Sequence, residues 1–258
     1  MLIGISGFAG TGKDTVADIL VRDRNMVKVA VADPMKRVIR DVYDFSDDQL
    51  WGPSELRSVI DPRYPRPAHI WEPSGNLEGE GWRRLQEHKC ACCGKKVMAE
   101  VGHNSYGLWV LLGGFEEGTC YLTPRYALQT LGTEWGRHAW PETWVHYAYR
   151  TYEGLQAGGY YYEPRSGLRP WSTVNDLVQP KTDVVVPDIR YKGEFEGFEK
   201  RGCVLIRVRR PGYDKPQWNH PSETEQLEIP DASFHHVLLN DSTPEALTEK
   251  VKDLLQKL

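Results

Sequence analysis

The chain has 258 residues and a formal net charge of −4 at neutral pH. This length suits one elaborated α/β domain, and the acidic balance argues against a general polyanion binder, so we expect no stable nucleic-acid binding. No apolar run approaches the ~18 residues needed to cross a bilayer. The N-terminal apolar run is interpreted as a strand rather than a signal peptide, so we expect a cytoplasmic protein without a membrane partner.

The first predicted elements are a strand over residues 2–6, a glycine loop and a helix over residues 13–22. The loop has the pattern Gly7-x-x-x-x-Gly12-Lys13. That order of strand, loop and helix is typical of a phosphate-binding loop, in which glycines let backbone N–H groups approach the phosphates. Lys13 would reach the β- and γ-phosphates of a bound nucleotide.

Asp14 stands where a phosphate-binding loop usually has Ser or Thr, whose hydroxyl binds Mg²⁺. Thr15 follows and could supply that hydroxyl, or Asp14 could hold the metal directly or through water. The alternative is that Asp14 only stabilises the first turn of the helix.

The next predicted strand, residues 27–32, ends in Asp33, and Pro34 suits the first position of a helix. From about residue 62 to residue 122, Gly and Pro are frequent and no long periodicity appears. We interpret residues 62–122 as an insertion or substrate-side subdomain within a single domain that covers residues 1–258.

Three of the five cysteines cluster inside this insertion. The spacing Cys90-x-x-Cys93 is typical of a zinc knuckle, but a structural zinc site needs four ligands. The site would have to be completed by residues drawn from Cys92, His88, His103 and Cys120. The alternative is a loop of reduced thiols.

Strand and helix signals return after the insertion. We predict a helix capped by Thr123, with Pro124 first, and another from Pro141, with an irregular connection over residues 154–182. Strands are predicted at residues 183–187, 203–208 and 236–239, and helices at residues 194–200 and 244–258. Alternating strands and helices imply an α/β fold with a mainly parallel sheet covered on both faces.

Charged side chains follow several of these strands, and ligands of such sheets bind beyond the strands' carboxyl ends. Phosphoryl transfer needs cations on the transferring group and carboxylates for Mg²⁺. Asp188 has the place of a Walker B-type carboxylate. The residues expected around one triphosphate are the phosphate loop, Asp33, Lys36, Arg37, Asp188, Arg190, Arg209 and Arg210.

Six segments occur in an informative order: the Gly-Lys-Asp-Thr loop, Ala32-Asp-Pro-Met-Lys36, Trp51-Gly-Pro-Ser-Glu55, Leu128-Gln-Thr-Leu-Gly-Thr-Glu-Trp-Gly-Arg137, Pro187-Asp-Ile-Arg190 and His220-Pro-Ser-Glu-Thr-Glu225. Together they resemble the deoxynucleoside monophosphate kinases of tailed bacteriophages. The resemblance implies a P-loop kinase-like three-layer fold. It also implies ATP- and Mg²⁺-dependent conversion of a deoxynucleoside monophosphate to its diphosphate, for phage DNA synthesis in the host cytoplasm. A homodimer is common among such enzymes.

The resemblance also implies roles for individual residues. Residues 7–15 would hold the ATP phosphates and metal, with Arg210 towards adenine. Lys13, Arg137, Asp33 and Asp188 would be the catalytic residues. Trp135 and Trp140 would frame the nucleoside or lie in the core. The full ATP-binding set is Gly7, Gly10, Thr11, Gly12, Lys13, Asp14, Thr15 and Arg210, and the acceptor-binding set is Asp33, Lys36, Arg37, Trp135, Arg137, Trp140 and Arg190.

Three other functions stay open. A dephospho-coenzyme A kinase would keep the fold and change the acceptor, although such kinases usually have Gly-Lys-Ser-Thr in the loop. A phage kinase acting on hydroxymethylpyrimidines in DNA would need a basic surface for the DNA. A nucleotide-dependent, zinc-containing binding module would be no enzyme, and would leave the charged strand ends unexplained.

Overall fold

The computed structural model describes residues 1–66, 83–89, 96–103, 109–113, 120–158, 160–163, 167–170, 182–213, 215 and 224–258. Within these ranges, no helix combines the length and the apolar character that a bilayer crossing requires.

The described elements alternate between strand and helix in the N- and C-terminal parts of the chain. The strands are β1 Leu2–Ser6, β2 Val27–Lys28, β3 Pro65–Arg66, β4 Arg83–Lys89, β5 Lys96–His103, β6 Trp109–Gly113, β7 Cys120–Tyr121, β8 Tyr160–Glu163, β9 Gly167–Pro170, β10 Val184–Ile189, β11 Val204–Arg209 and β12 His236–Leu239. The α-helices are α1 Lys13–Arg24, α2 Asp33–Tyr43, α3 Asp47–Trp51, α4 Pro124–Thr130, α5 Thr143–Gln156, α6 Lys192–Glu199 and α7 Pro244–Leu255. A π-helix spans Leu131–Arg137, and 3₁₀-helices span Leu56–Ser58, Glu225–Glu228 and Asp231–Ser233.

The chain forms two compact units. The first combines residues 1–34 with residues 136–258, and the second contains residues 35–135. The predicted insertion, residues 62–122, falls inside the second unit. Its treatment as part of a single domain stays a prediction.

The first unit contains a five-stranded sheet in the order β12-β11-β1-β10-β2, and every neighbouring pair in it is parallel. The predicted α/β class with a parallel sheet is therefore confirmed. Strand β1 is central, and the chain places β2 on one side of it and β11 on the other. That reversal of strand order around β1 is the position at which open α/β sheets bind ligands.

One face of this sheet packs against α1 and α7. Ile5 on β1, Leu20 on α1 and Val251 on α7 are all completely buried in one apolar cluster. Burying each such side chain contributes about 1.5–3 kcal/mol. This packing fixes the start of α1 against the end of β1, where the phosphate loop lies.

The opposite face of the sheet is also covered. Strand residues that alternate with those of the first cluster are buried, as expected for a parallel sheet that is covered on both faces. Val186 and Leu205 are completely buried. Helix α6 packs against β11 and α5, and Gly197 of α6 lets Val145 of α5 approach, since a Cβ at Gly197 would lie 3.1 Å from a Val145 methyl. These contacts fix α6, whose first turn borders the carboxyl end of β10.

The second unit has its own apolar cluster, which includes Phe45, Leu50 and Tyr126. Thr123 caps α4, because its hydroxyl accepts a hydrogen bond from the N–H of Tyr126, and Pro124 occupies the first turn, as predicted. Strands β4, β5 and β6 form an antiparallel sheet, and β3 pairs with β7.

Several element predictions were wrong in extent. Strand β2 ends at Lys28 rather than at residue 32. Residues 154–182 were predicted to be irregular, but α5 continues to Gln156, and β8 and β9 form an antiparallel pair. The tyrosines of β8 have high strand propensity, which the neighbouring Gly and Pro residues masked in the sequence.

Candidate functional site

The phosphate loop connects β1 to α1 through glycines with positive φ angles. Gly10 has φ 81° and Gly12 has φ 96°, a region that other residues rarely adopt. The Thr11 hydroxyl and the Thr11 N–H both donate to the Phe8 carbonyl, at 2.9 and 3.3 Å. The loop is therefore a tight turn leading into the N-terminus of α1, the geometry that favours anion binding.

Close contacts brace this loop from the next strands of the sheet. A Cβ at Gly7 would lie 2.7 Å from the Val208 carbonyl oxygen. The Asn240 side chain donates from Nδ2 to the Thr11 carbonyl at 2.9 Å, and a Cβ at Gly12 would lie 2.6 Å from the same Nδ2. Sequence reasoning missed Asn240, although its position directly after β12 at the carboxyl edge was a usable signal.

Arg210 and Tyr213 cover the outer side of the loop. Arg210 donates from Nη1 to the Gly10 carbonyl at 3.1 Å, and its guanidinium lies 4.8 Å from the centre of the Tyr213 ring. A Cβ at Gly10 would lie 2.5 Å from that ring. The structure thus brings Arg210 to the loop, while Tyr213 was not predicted.

Lys13 faces two residues at the end of β10. Its Nζ lies 3.6 Å from Asp188 Oδ1, and the Lys13 side chain is almost fully buried. Arg190 donates from Nε to the same oxygen at 2.8 Å. Burial opposes ionisation of Asp188, but Arg190 and Lys13 outweigh it and lower the pKa of this carboxyl to about 2. Asp188 is therefore an anion at neutral pH.

Asp14 and Thr15 are exposed on the first turn of α1. Lys28 Nζ lies 3.7 Å from Asp14 Oδ1 and 2.9 Å from Asp18 Oδ1. The side chain of Asp14 is 71 % exposed. Its carboxylate thus shares a cation with Asp18 on the outer surface of α1.

Arg137 is held by two residues that follow β10. Its Nη2 donates to Glu194 Oε1 at 2.6 Å, and its guanidinium carbon lies 3.4 Å from the centre of the Tyr191 ring. The other oxygen of Glu194 accepts the N–H groups of Arg190 and Tyr191, at 3.0 and 3.2 Å. The structure therefore connects Arg137 to the segment that carries Asp188 and Arg190.

Glu225 is a further acidic residue beside this segment. It is the last residue of the predicted His220–Glu225 motif, and its Oε2 accepts the N–H of Lys192 at 3.2 Å. Burial raises the pKa of Glu225, with Glu228 and Glu194 adding to the shift and Arg137 opposing it. Glu225 thus contacts the first turn of α6.

The remaining predicted residues are two of the first unit, Asp33 and Trp140, and three of the second unit. Asp33 is buried, and its N–H donates to the Ala30 carbonyl at 3.1 Å. Trp140 is 46 % exposed, with its ring 5.1 Å from that of His146. Three others, Lys36, Arg37 and Trp135, belong to the second unit; there Lys36 Nζ lies 5.5 Å from the centre of the Trp51 ring, and Trp135 is 60 % exposed. The exposure of Trp135 and Trp140 does not fit the alternative that they are core residues.

Arg209, expected at the triphosphate, contacts a different partner. Its Nη2 donates to Asp231 Oδ1 at 2.7 Å. The buried Arg207 donates to the carbonyls of Gln226 and Ile229. Both arginines of β11 therefore bind the segment between β11 and β12. Of Arg207, Arg209 and Arg210, only Arg210 contacts the phosphate loop.

Hard divalent cations such as Mg²⁺ take carboxylate and hydroxyl ligands, and the Asp188 carboxylate, 3.6 Å from Lys13, is one such oxygen donor. Asp188 is ionised at neutral pH, and the Ser6 hydroxyl directly before Gly7 is buried without a hydrogen-bond partner among the described residues. The predicted Asp14 and Thr15 follow Lys13 in the first turn of α1, where both are exposed. The chemistry of the Asp188 carboxylate and the Ser6 hydroxyl is of the kind that Mg²⁺ prefers.

The predicted zinc pair, Cys90 and Cys93, lies outside the described residues. Elsewhere, in the part of the chain that the structure does describe, no group of three or more His, Cys, Asp or Glu side chains could hold a metal ion. Zinc gains no support from the comparisons below.

The chain is 24 % identical over 251 residues to a protein of Acanthamoeba polyphaga mimivirus named "Putative deoxynucleotide monophosphate kinase". The similarity covers 97 % of this chain and 94 % of the viral protein. It therefore includes both compact units. No protein-family model matches the chain.

Proposed function

We propose that this chain transfers the γ-phosphate of ATP to a deoxynucleoside monophosphate and so forms the diphosphate. The observation that carries the proposal is the pairing of Lys13 with Asp188 at 3.6 Å, directly after a glycine loop at the carboxyl end of a central parallel strand. The name of the viral relative supports a nucleotide kinase and its acceptor class.

The phosphate loop would bind the donor. Positive φ angles at Gly10 and Gly12 shape the turn, and N–H groups at the start of α1 would meet the β- and γ-phosphates. Lys13 would stabilise the charge that moves with the transferred phosphoryl group. Arg210, which already donates to the Gly10 carbonyl, would lie on the adenine side of the loop.

Asp188, Asp14 and Thr15 would hold the magnesium ion that accompanies ATP. When bound, this ion neutralises negative charge on the β- and γ-phosphates. Asp188 suits this role because its pKa of about 2 keeps it ionised over the whole neutral range. In the absence of nucleotide, the positive charge of Lys13 would neutralise the negative charge of the Asp188 carboxylate.

The acceptor would be bound by arginines rather than activated by a strong base. A phosphate monoester is already an anion at neutral pH, so positioning is the main requirement. Arg137 and Arg190 would contact its phosphate, and Asp33 would orient the acceptor. Lys36 and Arg37 would add positive charge, and Trp135 and Trp140 would frame the nucleoside.

Resemblance to the phage enzymes extends the proposal to its biological setting. The product would supply phage DNA synthesis in the host cytoplasm, and the enzyme would work without stable binding to nucleic acid, as a monomer or a homodimer. The charge of −4 agrees with substrates that are small nucleotides rather than a DNA duplex.

The test is release of ADP from ATP and Mg²⁺ with each deoxynucleoside monophosphate, dephospho-coenzyme A or duplex DNA as the acceptor. Release that depends on a free monophosphate supports the proposal and reports the base preference. Release with only one of the other acceptors would show that the chain is a kinase with that acceptor instead of a deoxynucleoside monophosphate. ATP binding without release in any mixture would favour a binding module.

A further inference from the structure

The carboxylate of Glu194 joins two parts of the first unit that are far apart in sequence. Only 4 % of Glu194 is exposed, although it is a charged residue on a helix. One oxygen accepts from Arg137 at 2.6 Å, and the other accepts from the N–H groups of Arg190 and Tyr191. Buried carboxylates are rare unless they are paired, so this position calls for a cation.

Tyr191 completes the environment of Arg137. Its ring centre lies 3.4 Å from the guanidinium carbon, the distance of a stacked cation–π contact. The guanidinium is thus limited by a ring against its face and by a carboxylate at its edge. Both restraints come from the residues that directly follow Asp188 and Arg190 on β10.

We infer that Glu194 and Tyr191 are positioning residues that hold the Arg137 guanidinium in the orientation needed to contact the acceptor phosphate. The kinetic part of this inference rests on the proposed function; the structural part, that Glu194 fixes Arg137, does not. An arginine with five N–H donors can give one to Glu194 and meet a phosphate oxygen with others. Restraining its long side chain beforehand removes the entropy cost of ordering it when the substrate binds.

A purely structural role for Glu194 predicts a different result. Glu194 lies in the first turn of α6, where its carboxylate accepts the backbone N–H groups of Arg190 and Tyr191, the two residues just before the helix. Glu194→Gln separates the two roles, because the amide oxygen can still accept those N–H groups. The amide nitrogen, however, is a donor and cannot accept from Arg137.

The experiment compares Glu194→Gln with a control variant, Glu142→Gln. Glu142 forms a similar pair in the same unit, accepting from Arg201 Nη2 at 2.7 Å. For Glu194→Gln we expect kcat/KM for the monophosphate to fall about 100-fold while KM for ATP changes less than about threefold. For Glu142→Gln we expect both constants to stay within about threefold of the wild type. Unchanged kinetics in Glu194→Gln, in a wild type that phosphorylates monophosphates, would overturn the inference and leave the proposed function standing.

A second readout needs no turnover. In the wild type, nitrogen NMR of the Arg137 guanidinium should show slow rotation and distinct Nη signals, and in Glu194→Gln these signals should average. A guanidinium that stays equally ordered in Glu194→Gln would overturn the inference, even if no acceptor were phosphorylated. Tyr191→Leu removes the stacking face and should loosen Arg137 in the same way as Glu194→Gln.

Discussion

Lys13 Nζ at the start of α1 lies 3.6 Å from Asp188 Oδ1 near the end of β10. Strands β1 and β10 are neighbours, with Ser6 opposite Ile189, so the two charges face each other across adjacent strand ends. In the proposed kinase, the buried Lys13 ammonium would exchange the Asp188 carboxylate for a phosphate of the nucleotide. This pair is therefore the centre of the proposed kinase site.

Lys13→Ala should remove stabilisation of the transferred phosphoryl group. We expect kcat to fall about 100- to 1000-fold, the scale of losing one well-placed electrostatic group, while circular dichroism shows an intact fold. The control is Lys250→Ala, which removes an exposed lysine whose Nζ contacts Asp241 at 2.6 Å and should change kcat little. Normal turnover in Lys13→Ala would contradict the assignment of the phosphate loop.

Asp188 should contribute to stability in a way that depends on pH. Its pKa of about 2 lies below the ordinary 3.8, because Arg190 and Lys13 outweigh the effect of burial. The unfolded state therefore binds more protons, so the contribution is complete above about pH 4 and is lost as the pH falls towards 2. A shift of this size corresponds to at most about 2–3 kcal/mol.

The measurement is urea unfolding of the wild type and Asp188→Asn at pH 5 and pH 2.5. Asp188→Asn should be less stable than the wild type at pH 5, and the gap should narrow by roughly 1–2 kcal/mol at pH 2.5. A gap of equal size at both pH values would show that the Asp188 carboxylate is not held ionised by its neighbours.

Gly10→Ala should weaken ATP binding. The residue has φ 81°, and a Cβ there would lie 2.5 Å from the Tyr213 ring, so both the loop and its cover must shift. We expect KM for ATP to rise about tenfold or more, in line with a disturbance of 1.4 kcal/mol or above. Gly202→Ala is the control, since Gly202 has φ 70° with no atom near the added Cβ. It should cost about 1 kcal/mol of stability and leave KM for ATP unchanged.

Gly136→Ala should disturb the π-helix that leads to Arg137. A Cβ at Gly136 would lie 2.2 Å from the Trp144 ring, and such overpacking typically costs about 1–3 kcal/mol. Gly154→Ala on α5 meets no neighbour and should instead raise stability by roughly 0.5–1 kcal/mol, because alanine favours helix. Thermal unfolding measures both. Equal stability changes in the two variants would contradict the packing of Gly136 on Trp144.

The sequence was informative where a local pattern carried the structure. Strand β1, the glycine loop and α1 follow from an apolar run, fixed glycine spacing and helical periodicity, and these signals need no distant partner. Asp188 was proposed as a site residue for the same reason, because it lies at the end of an apolar strand. The parallel sheet followed from the alternation of such units.

Long-range partners were harder to predict. Glu194 looks like any acidic residue in a first helical turn, and only the fold brings Arg137 to it. Arg209 was expected at the phosphates, but it forms an ion pair with Asp231, which lies on the segment before β12. The segment Leu131–Arg137 was interpreted only as a motif between two helices, and the close packing of Gly136 on Trp144 in its π-helix was not predicted. π-helical turns are frequent at functional sites, which agrees with the role proposed for Arg137.

The central claim is that phosphate moves from ATP to a deoxynucleoside monophosphate, and the most direct test follows the phosphate itself. ATP labelled at the γ-phosphate would be incubated with Mg²⁺ and each monophosphate, for the wild type and for Lys13→Ala, and the labelled products separated. We expect the label in a deoxynucleoside diphosphate with the wild type, and almost none with Lys13→Ala. Label found only in inorganic phosphate, or retained in ATP with every monophosphate, would contradict the account.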